Sequence, residues 1–339
     1  MRNLSMDALC EKIGNAVSKQ AISKYEKGES LPGSQILILL SQALDVKPDY
    51  FFRESQFAIS NIEFRKKAKM GVKEVEAIKE EIRDIIERYL EIEDIWGCVP
   101  SFANPVKEML VASDDDVCEV VKRLKEAWNI GEDGILSVTD LLESKNIKVV
   151  EIKADSSFDG LSGYVNNDEN MPFVVVNKSF DVERLRFTGL HELGHLVMNL
   201  PEEMEKKDKE RLCNLFASEM LISRDTFVDV LGERRSDISL QELKVLQAVY
   251  GISVDALMFK AKTVGVISES KYTSFCIRKN KSLAFKDAVE RSSYRGVEES
   301  SRFDRLVYRA LASDMISCSK AAVLLNEPME EVKNKLELV

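Results

Sequence analysis

The chain has 339 residues, 31% of them charged, and a formal net charge of −10, which indicates a folded protein of two or three domains with ample core. The acidic balance argues against a surface that is broadly coated by nucleic acid. With no long apolar run and no signal peptide at its start, the sequence predicts a cytoplasmic protein without membrane insertion. The six cysteines are scattered and form no CxxC pair, so neither a disulfide framework nor a cysteine zinc finger is expected.

The positive charge is concentrated near the N-terminus. Residues 1–53 hold seven Lys/Arg and six Asp/Glu, so this segment has a net charge of +1 and the remainder has −11. Residues 5–14 and 19–27 predict two short helices joined by a turn, with Ser18 as the N-cap of the second, and a third helix follows Gly33. Any contact with DNA is therefore expected in this segment.

The stretch from Ser18 to Gly28, with the sequence SKQAISKYEKG, resembles the recognition helix of the Xre/Cro repressor family. In a helix-turn-helix module of that kind, the N-terminal part of this helix enters the major groove. The resemblance implies that three side chains read base edges: Gln20, Ser23 and Lys24. It implies that three others contact phosphates: Ser18, Lys19 and Lys27. The alternative is a small helical domain that binds protein and has a solvated charged face.

Residues 54–96 are predicted to connect this module to the rest of the chain. A basic cluster at Phe64–Lys69 is a candidate for phosphate contacts, although a solvated surface explains it as well. From Val75 to Leu90, apolar residues repeat at helical spacing, which predicts one amphipathic helix of about five turns. We expect this helix to act as a spacer that packs on a partner within the chain or across a homodimer.

Helices and short strands alternate in the segment that follows. Residues 117–128 and 137–145 predict helices, residues 147–152 predict a strand, and residues 160–164 predict a turn into a second strand. The β-branched stretch 173–177 predicts a third strand. Because an edge strand beside a zinc peptidase site can pair with an extended substrate, this third strand is a candidate for that edge, with a purely structural role as the alternative.

The only two histidines of the chain, His191 and His195, lie four residues apart with Glu192 beside the first. On a helix this spacing is one turn plus about 40°, so both imidazoles leave the same face and can reach one zinc ion at about 2.1 Å each. The context predicts a helix that begins after Asp181 and ends at Asn199–Pro201. The HExxH pattern therefore predicts a zinc site of the metallopeptidase type, in which Glu192 takes a proton from metal-bound water.

A catalytic zinc needs a third protein ligand, and without a third histidine this must be an acid or a cysteine. A helix predicted after the loop 201–209 carries three candidates. Glu210 is preferred because it shares its face with small or polar groups. Glu219, about 180° around the helix from Glu210, is the second candidate, and Cys213 is the third.

Two sequence blocks point to one family. Residues 184–195, RLRFTGLHELGH, followed by residues 210–217, ERLCNLFA, resemble the ImmA/IrrE family of metallopeptidases, and the resemblance extends over residues 120–265. Members of this family are similar to thermolysin-type zinc enzymes and cleave repressor proteins. The resemblance implies Zn²⁺ as the cofactor and three ligands: His191, His195 and Glu210. It also implies Glu192 as the general base, whereas a further group that stabilises the transition state is not evident and Tyr164 is the candidate.

The sequence thus predicts a mostly helical α+β protein. Its expected parts are a helix-turn-helix bundle over residues 1–53, a connector helix over 54–96, a zincin-like metallopeptidase domain with a small sheet over 97–265, and a helical C-terminal region over 266–339. Within the last two parts, helices are expected over residues 240–250 and 254–262, and shorter ones over 303–312, 319–325 and 329–336.

Two functions agree with these patterns. The first is a zinc endopeptidase with a DNA-binding domain that cleaves a transcriptional repressor, or a copy of itself, to regulate gene expression. The second is a DNA-binding repressor or antitoxin whose zinc site is structural or inactive. The expected partners are a protein substrate and DNA, with no membrane, and a homodimer is among the assemblies that the sequence allows.

Overall fold

The computed structural model describes residues 4–44, 46, 48, 51, 71–97, 100–165 and 168–336. Within these residues it contains sixteen helices and one three-stranded sheet, which confirms the predicted mostly helical α+β class. They form two compact units. One contains the described residues up to 97 and from 303 onward, and the other contains the described residues from 100 to 302. The basic cluster at Phe64–Lys69 lies outside the described residues.

The first unit begins with four helices: α1 Met6–Lys12, α2 Lys19–Glu26, α3 Ser34–Leu44 and α4 Val72–Ile95. The hydroxyl oxygens of Ser5 and Ser18 accept the N–H groups of Ala8 and Ala21, at 3.1 and 3.3 Å, and so cap α1 and α2. The helices α1, α2 and α3 share one small apolar core: Leu9, Cys10, Ile13, Ile22, Leu40 and Ala43. The predicted helices are confirmed, and α4, with 24 residues, is longer than expected.

The second unit contains nine helices and three strands among the described residues: α5 Asp114–Trp128, α6 Val138–Ser144, β1 Lys148–Ile152, β2 Gly160–Tyr164, β3 Pro172–Asn177, α7 Val182–Val197, α8 Lys206–Leu221, α9 Arg224–Leu231, α10 Leu240–Tyr250, α11 Val254–Thr263, α12 Glu269–Lys281 and α13 Leu283–Glu290. Three differences from the prediction stand out. Residues 160–164 are themselves a strand. Helix α8 begins at Lys206, so it includes the last residues of the loop expected at 201–209. Helices α9, α12 and α13 were not predicted. The first turn of α8 is highly charged and mostly exposed, so hydrophobic periodicity does not mark it.

The sheet has the strand order β1-β3-β2. Strand β1 is parallel to β3 with Val150 opposite Val175, and β2 is antiparallel to β3 with Leu161 opposite Val175. All six residues of β3 are buried, which its β-branched sequence supports. The prediction that this strand could form a substrate edge is therefore wrong: β3 is central, and β2 is an edge strand.

Three helices, α14 Arg302–Ala312, α15 Cys318–Leu324 and α16 Met329–Lys335, return to the first unit. Their apolar side chains form a core with Ile92 of α4, built from residues that include Val307, Leu311, Leu324 and Val332. The three helices predicted near the C-terminus are thus confirmed, with bounds that differ by one residue. Among the helices that the structure describes, none combines the length and apolar character needed to cross a membrane.

Candidate metal centre

The helix α7 presents both histidines to one point. The Nε2 atoms of His191 and His195 lie 3.0 Å apart, as expected for side chains four residues apart on one helical face. Gly194 lets the next helix approach closely, because a Cβ atom there would lie 3.1 Å from the ring of Phe216 on α8. The glycine, which would weaken an isolated helix, therefore allows α8 to pack against the histidine helix.

Glu210, near the start of α8, completes the cluster. Its Oε2 atom lies 3.3 Å from Nε2 of His191 and 4.0 Å from Nε2 of His195. Ligand atoms around a tetrahedral zinc ion, each about 2.05 Å from it, are about 3.3 Å apart. The three donor atoms all lie within 4.8 Å of one another, so the residues chosen from the sequence converge, and their spacing and chemistry fit a zinc ion.

The opposite sides of both imidazole rings are held by α8. Nδ1 of His191 lies 3.0 Å from Oδ1 of Asn214, and Nδ1 of His195 lies 3.0 Å from Sγ of Cys213. An amide oxygen can only accept, so the tautomer of His191 that makes this hydrogen bond has its proton on Nδ1 and leaves Nε2 as the atom that can bind a metal. This role of Asn214 was not predicted, although its position four residues after Glu210 places both side chains on one helical face.

Cys213 and Glu219, the alternative third ligands, do not join the cluster. Cys213 lies at the Nδ1 side of His195, away from the Nε2 atom that faces Glu210. The Glu219 side chain is buried, forms an ion pair with Lys260 of α11 and accepts the N–H of Arg224 at 2.7 Å. Its partners are therefore a cation and a backbone donor on the far side of α8.

Glu192 is 4% exposed and lies against the edge strand β2. The hydroxyl of Ser162 donates to its Oε2 atom at 2.7 Å, which orients the carboxylate. The strand can come this close because residue 160 is glycine: a Cβ atom there would lie 2.6 Å from Thr188 of α7. Ser162 was not chosen from the sequence, since nothing in the pattern of a short strand shows which hydroxyl meets the helix.

A cleft of about 390 Å³ opens at the cluster. Its walls combine two of the three metal-donor residues and Glu192 with charged side chains of α7 and α8. The residues that line it include Asp159, Arg184, His191, Glu192, Lys206, Glu210 and Asn214. Arg184 forms an ion pair with Asp159 across this cleft. Two of the three donors, His191 and Glu210, line this cleft and can therefore be reached from solvent.

Tyr164, the candidate for stabilising a transition state, lies at the end of β2. Its hydroxyl donates to the backbone carbonyl of Leu196 at 3.1 Å, and burial raises the pKa of the phenol, which keeps it protonated. It lines a second cavity of about 530 Å³ together with His195. In this arrangement the hydroxyl proton of Tyr164 is donated to a backbone carbonyl of α7.

The residues predicted to contact DNA lie along α2, in the first unit. Most of their side chains are exposed; Ser23 is half-buried. Lys19 pairs with Asp7 at 2.6 Å, both side chains being more than half exposed, and Ser18 caps the helix. The helix is therefore anchored by Ile22, which is 3% exposed, and turns its polar side chains to solvent.

Comparisons with known proteins give a family match for the helix-turn-helix region and another for the region that contains the metal centre. Residues 1–51 match a family model described as helix-turn-helix, and residues 142–262 match a peptidase-family model described as IrrE N-terminal-like domain. A curated relative, the uncharacterized HTH-type transcriptional regulator y4aM of Sinorhizobium fredii, is 45% identical over 53 residues, which are 16% of this chain and 36% of the relative. The match thus spans about a third of that relative's length. The predicted fusion is confirmed: this chain joins an N-terminal helix-turn-helix domain of the Xre/Cro type to an IrrE/ImmA-like domain of a peptidase family.

Proposed function

We propose that this protein is a zinc-dependent endopeptidase that carries its own DNA-binding domain and cleaves a transcriptional repressor, or another copy of itself, to regulate gene expression. The observation that carries the proposal is the convergence of His191, His195 and Glu210 within 4.8 Å, beside a buried carboxylate and at an open cleft. A peptidase-family match over the same residues supports it.

The donor set favours zinc over harder cations. Two imidazole nitrogens and one carboxylate oxygen are the ligands that thermolysin-like catalytic zinc sites use, whereas Mg²⁺ and Ca²⁺ prefer oxygen donors alone. His191, His195 and Glu210 would hold the ion and leave its fourth position to water or substrate. When bound, zinc supplies a Lewis acid that polarises a peptide carbonyl and lowers the pKa of water.

The protein's own groups supply the proton transfers. Glu192 would accept the proton of the attacking water and then deliver it to the leaving amine, so one carboxyl serves as base and then as acid. The Ser162 hydroxyl holds that carboxylate in place through a 2.7 Å hydrogen bond. The edge strand β2 offers its outer side to an extended peptide, which would be bound through main-chain hydrogen bonds.

A cleavage assay tests the proposal. The full-length protein, loaded with zinc, is incubated with helix-turn-helix repressors of its own organism and with a tagged copy of itself, and products are identified by mass spectrometry. We expect Glu192→Gln to lower the cleavage rate by about 10²–10⁴-fold, because it removes the general base. Zinc content should stay the same, since Glu192 is not among the three converging donors.

The matched control is Glu203→Gln, which changes an exposed glutamate in the segment between α7 and α8. It should cleave like the unchanged protein. Equal cleavage by the Glu192→Gln protein would contradict the assigned role and point to a contaminating protease. Zinc binding without cleavage of any repressor would favour the second function below.

A DNA-binding repressor with a structural or inactive zinc site is the second candidate. Two observations favour it: the named relative is a transcriptional regulator, and the hydroxyl of Tyr164 is used by the Leu196 carbonyl rather than offered to the cleft. On this reading, substitution of Glu192 leaves gene regulation in cells unchanged, whereas substitutions in α2 abolish it. On the peptidase reading, both sets of substitutions change regulation.

A further inference from the structure

A segment without helix or strand, residues 291–301, lies across the second unit between α13 and α14. We name it the strap. It begins beyond residue 262, where the match to the peptidase-family model ends. Irregular segments of this length usually lie on the surface with few specific contacts. The strap instead places one carboxylate, Glu298, in the interior, with its side chain only 2% exposed.

Glu298 joins two helices of the second unit. Its carboxylate accepts the N–H groups of Val138 and Thr139, at 3.0 and 2.9 Å, at the start of α6. It also forms an ion pair with Arg186 of α7, whose side chain is fully buried. One side chain of the strap therefore holds the start of α6 and the helix that carries both histidines.

Arg186 extends this connection. Its guanidinium donates to the carbonyls of Ile135 and Tyr250, at 2.6 and 3.3 Å, and to the hydroxyl of Tyr294 at 2.8 Å. Tyr294, also on the strap, stacks below the guanidinium with 4.5 Å between Cζ and the ring centroid. Its own hydroxyl donates to the carbonyl of Leu136 at 2.6 Å.

The strap has two more anchors in the same unit. Near its start, the Ser292 hydroxyl donates to Glu183 of α7 at 2.5 Å, and Glu183 is also bound by Gln247 at 2.8 Å. Near its end, Ser300 donates to Glu143 of α6 and to Glu151 of β1, at 2.6 and 2.5 Å. Two of the three anchors thus act on α7 itself.

The position of Arg186 on α7 gives these contacts a consequence for the metal centre. Arg186 precedes His191 by five residues, which is about 7.5 Å along the helix axis and about 140° around it. The contacts of Glu298 and Tyr294 with Arg186, which we call the clamp, therefore act on the face of α7 opposite to the face that the two imidazoles leave. Catalytic constellations tolerate displacements of only about 0.5 Å, so a rotation of α7 would separate the histidines from Glu210 on α8.

We propose that the strap is an integral part of the metal centre, and that Glu298 is a positioning residue that fixes α7 through Arg186. The metal-binding part of this proposal rests on the proposed function; the positioning of α7 does not. No strap residue is among the three donors or among the residues that line the cleft, so we expect the strap to act through α7.

The test compares Glu298→Gln, which removes the charge and keeps the shape, with Glu299→Gln, which changes the exposed neighbour. Amide hydrogen exchange is measured on the metal-free full-length proteins. We expect Glu298→Gln to raise exchange in α7 and at the start of α6, while α11 to α13 and the control stay as in the unchanged protein. Because this readout needs no metal or substrate, it holds even if the proposed peptidase activity fails.

Zinc affinity, measured by competition with a chromophoric chelator, is the second readout. We expect Glu298→Gln to weaken zinc binding about tenfold, as loss of a supporting hydrogen bond does at other metal sites, and Glu299→Gln to leave it unchanged. Should Glu298→Gln fail to fold, Tyr294→Phe removes a single hydroxyl from the same clamp and is expected to show the same pattern with a smaller loss. Unchanged exchange in α7, or an equal rise in every helix of the unit, would overturn the proposal.

Discussion

The metal centre and the recognition helix hold their polar side chains in opposite ways. At the metal centre, the side chains of His191 and His195 are 14% and 6% exposed, and each ring has a partner on its far side. On α2, the residues predicted to meet DNA are mostly exposed, and a single buried isoleucine anchors the helix beneath them.

This difference follows from what each region is proposed to bind. A metal ion requires donors placed within tenths of an ångström, which a protein achieves by burying the ligands and bonding their far sides. A DNA groove is reached by long side chains that exchange water for phosphate and base contacts, so exposure before binding costs little. Substitutions at the metal centre should therefore cause large losses of zinc affinity, whereas substitutions on α2 should cause smaller losses of DNA affinity.

The largest expected effect is at a metal ligand. His195→Ala removes one of three donors, so we expect zinc affinity to fall more than 100-fold, beyond the loss caused by outer partners. Thermal unfolding with and without zinc checks this, because only a protein that binds the ion gains stability from it. Glu192→Gln is the control and should keep the zinc-dependent shift. An equal zinc-dependent shift of the unfolding temperature in the unchanged protein, the His195→Ala variant and the Glu192→Gln variant would show that zinc binds elsewhere.

The next largest loss of zinc affinity is expected when Asn214, the hydrogen-bond partner of His191, is substituted. Asn214→Ala leaves Nδ1 of His191 without its acceptor at 3.0 Å, so zinc affinity should fall about 10–100-fold. Asn214→Asp keeps an oxygen at that position and should retain most of the affinity. Chelator competition on both variants gives the ratio. If alanine and aspartate lose the same amount, the hydrogen bond does not orient the ring.

On α2, a single base contact is expected to matter less. Gln20→Ala should weaken binding to a preferred DNA site, selected first from random sequences with the unchanged protein, by about tenfold. Discrimination at one base position should be lost at the same time. Gln241→Ala, at an exposed position of α10, serves as the control. Uniform weakening on every sequence would reassign Gln20 to the backbone contacts.

The smallest expected effect is at a phosphate contact. Lys27→Ala should weaken binding several-fold on all sequences and lower the slope of log K against log salt concentration by about 0.9, the value of one released counterion. Lys286→Ala, which removes an exposed lysine outside the helix-turn-helix domain, should leave the slope unchanged. A Lys27 variant with an unaltered slope would place that side chain away from the DNA backbone.

Much of the candidate site could be predicted from spacing alone. The four-residue interval between the histidines determines a common face on any helix, and the acid that follows on the next helix was chosen by the character of its neighbours. The structure brings those three side chains together. Ser162 escaped prediction, because a hydroxyl on a short strand carries no periodic signal that identifies its partner.

The strap shows the same limit more strongly. Residues 291–301 have no hydrophobic period and no turn signature, and their sequence contains charged and small residues that would suit any surface loop. The contact between Glu298 and Arg186 joins positions 112 residues apart. Only the packing of α6, α7 and the strap reveals that these two charges are buried together.

By itself, the amino-acid sequence determined most of the helices, the Ser18 cap and the common face of the two histidines, because these depend on interactions between residues close in the chain. The tertiary structure alone decided among the three candidate third ligands, and it alone established which strand lies at the edge of the sheet and which distant carboxylate pairs with Arg186 of α7. Those outcomes depend on contacts between elements far apart in the chain, and local periodicity contains no information about such contacts.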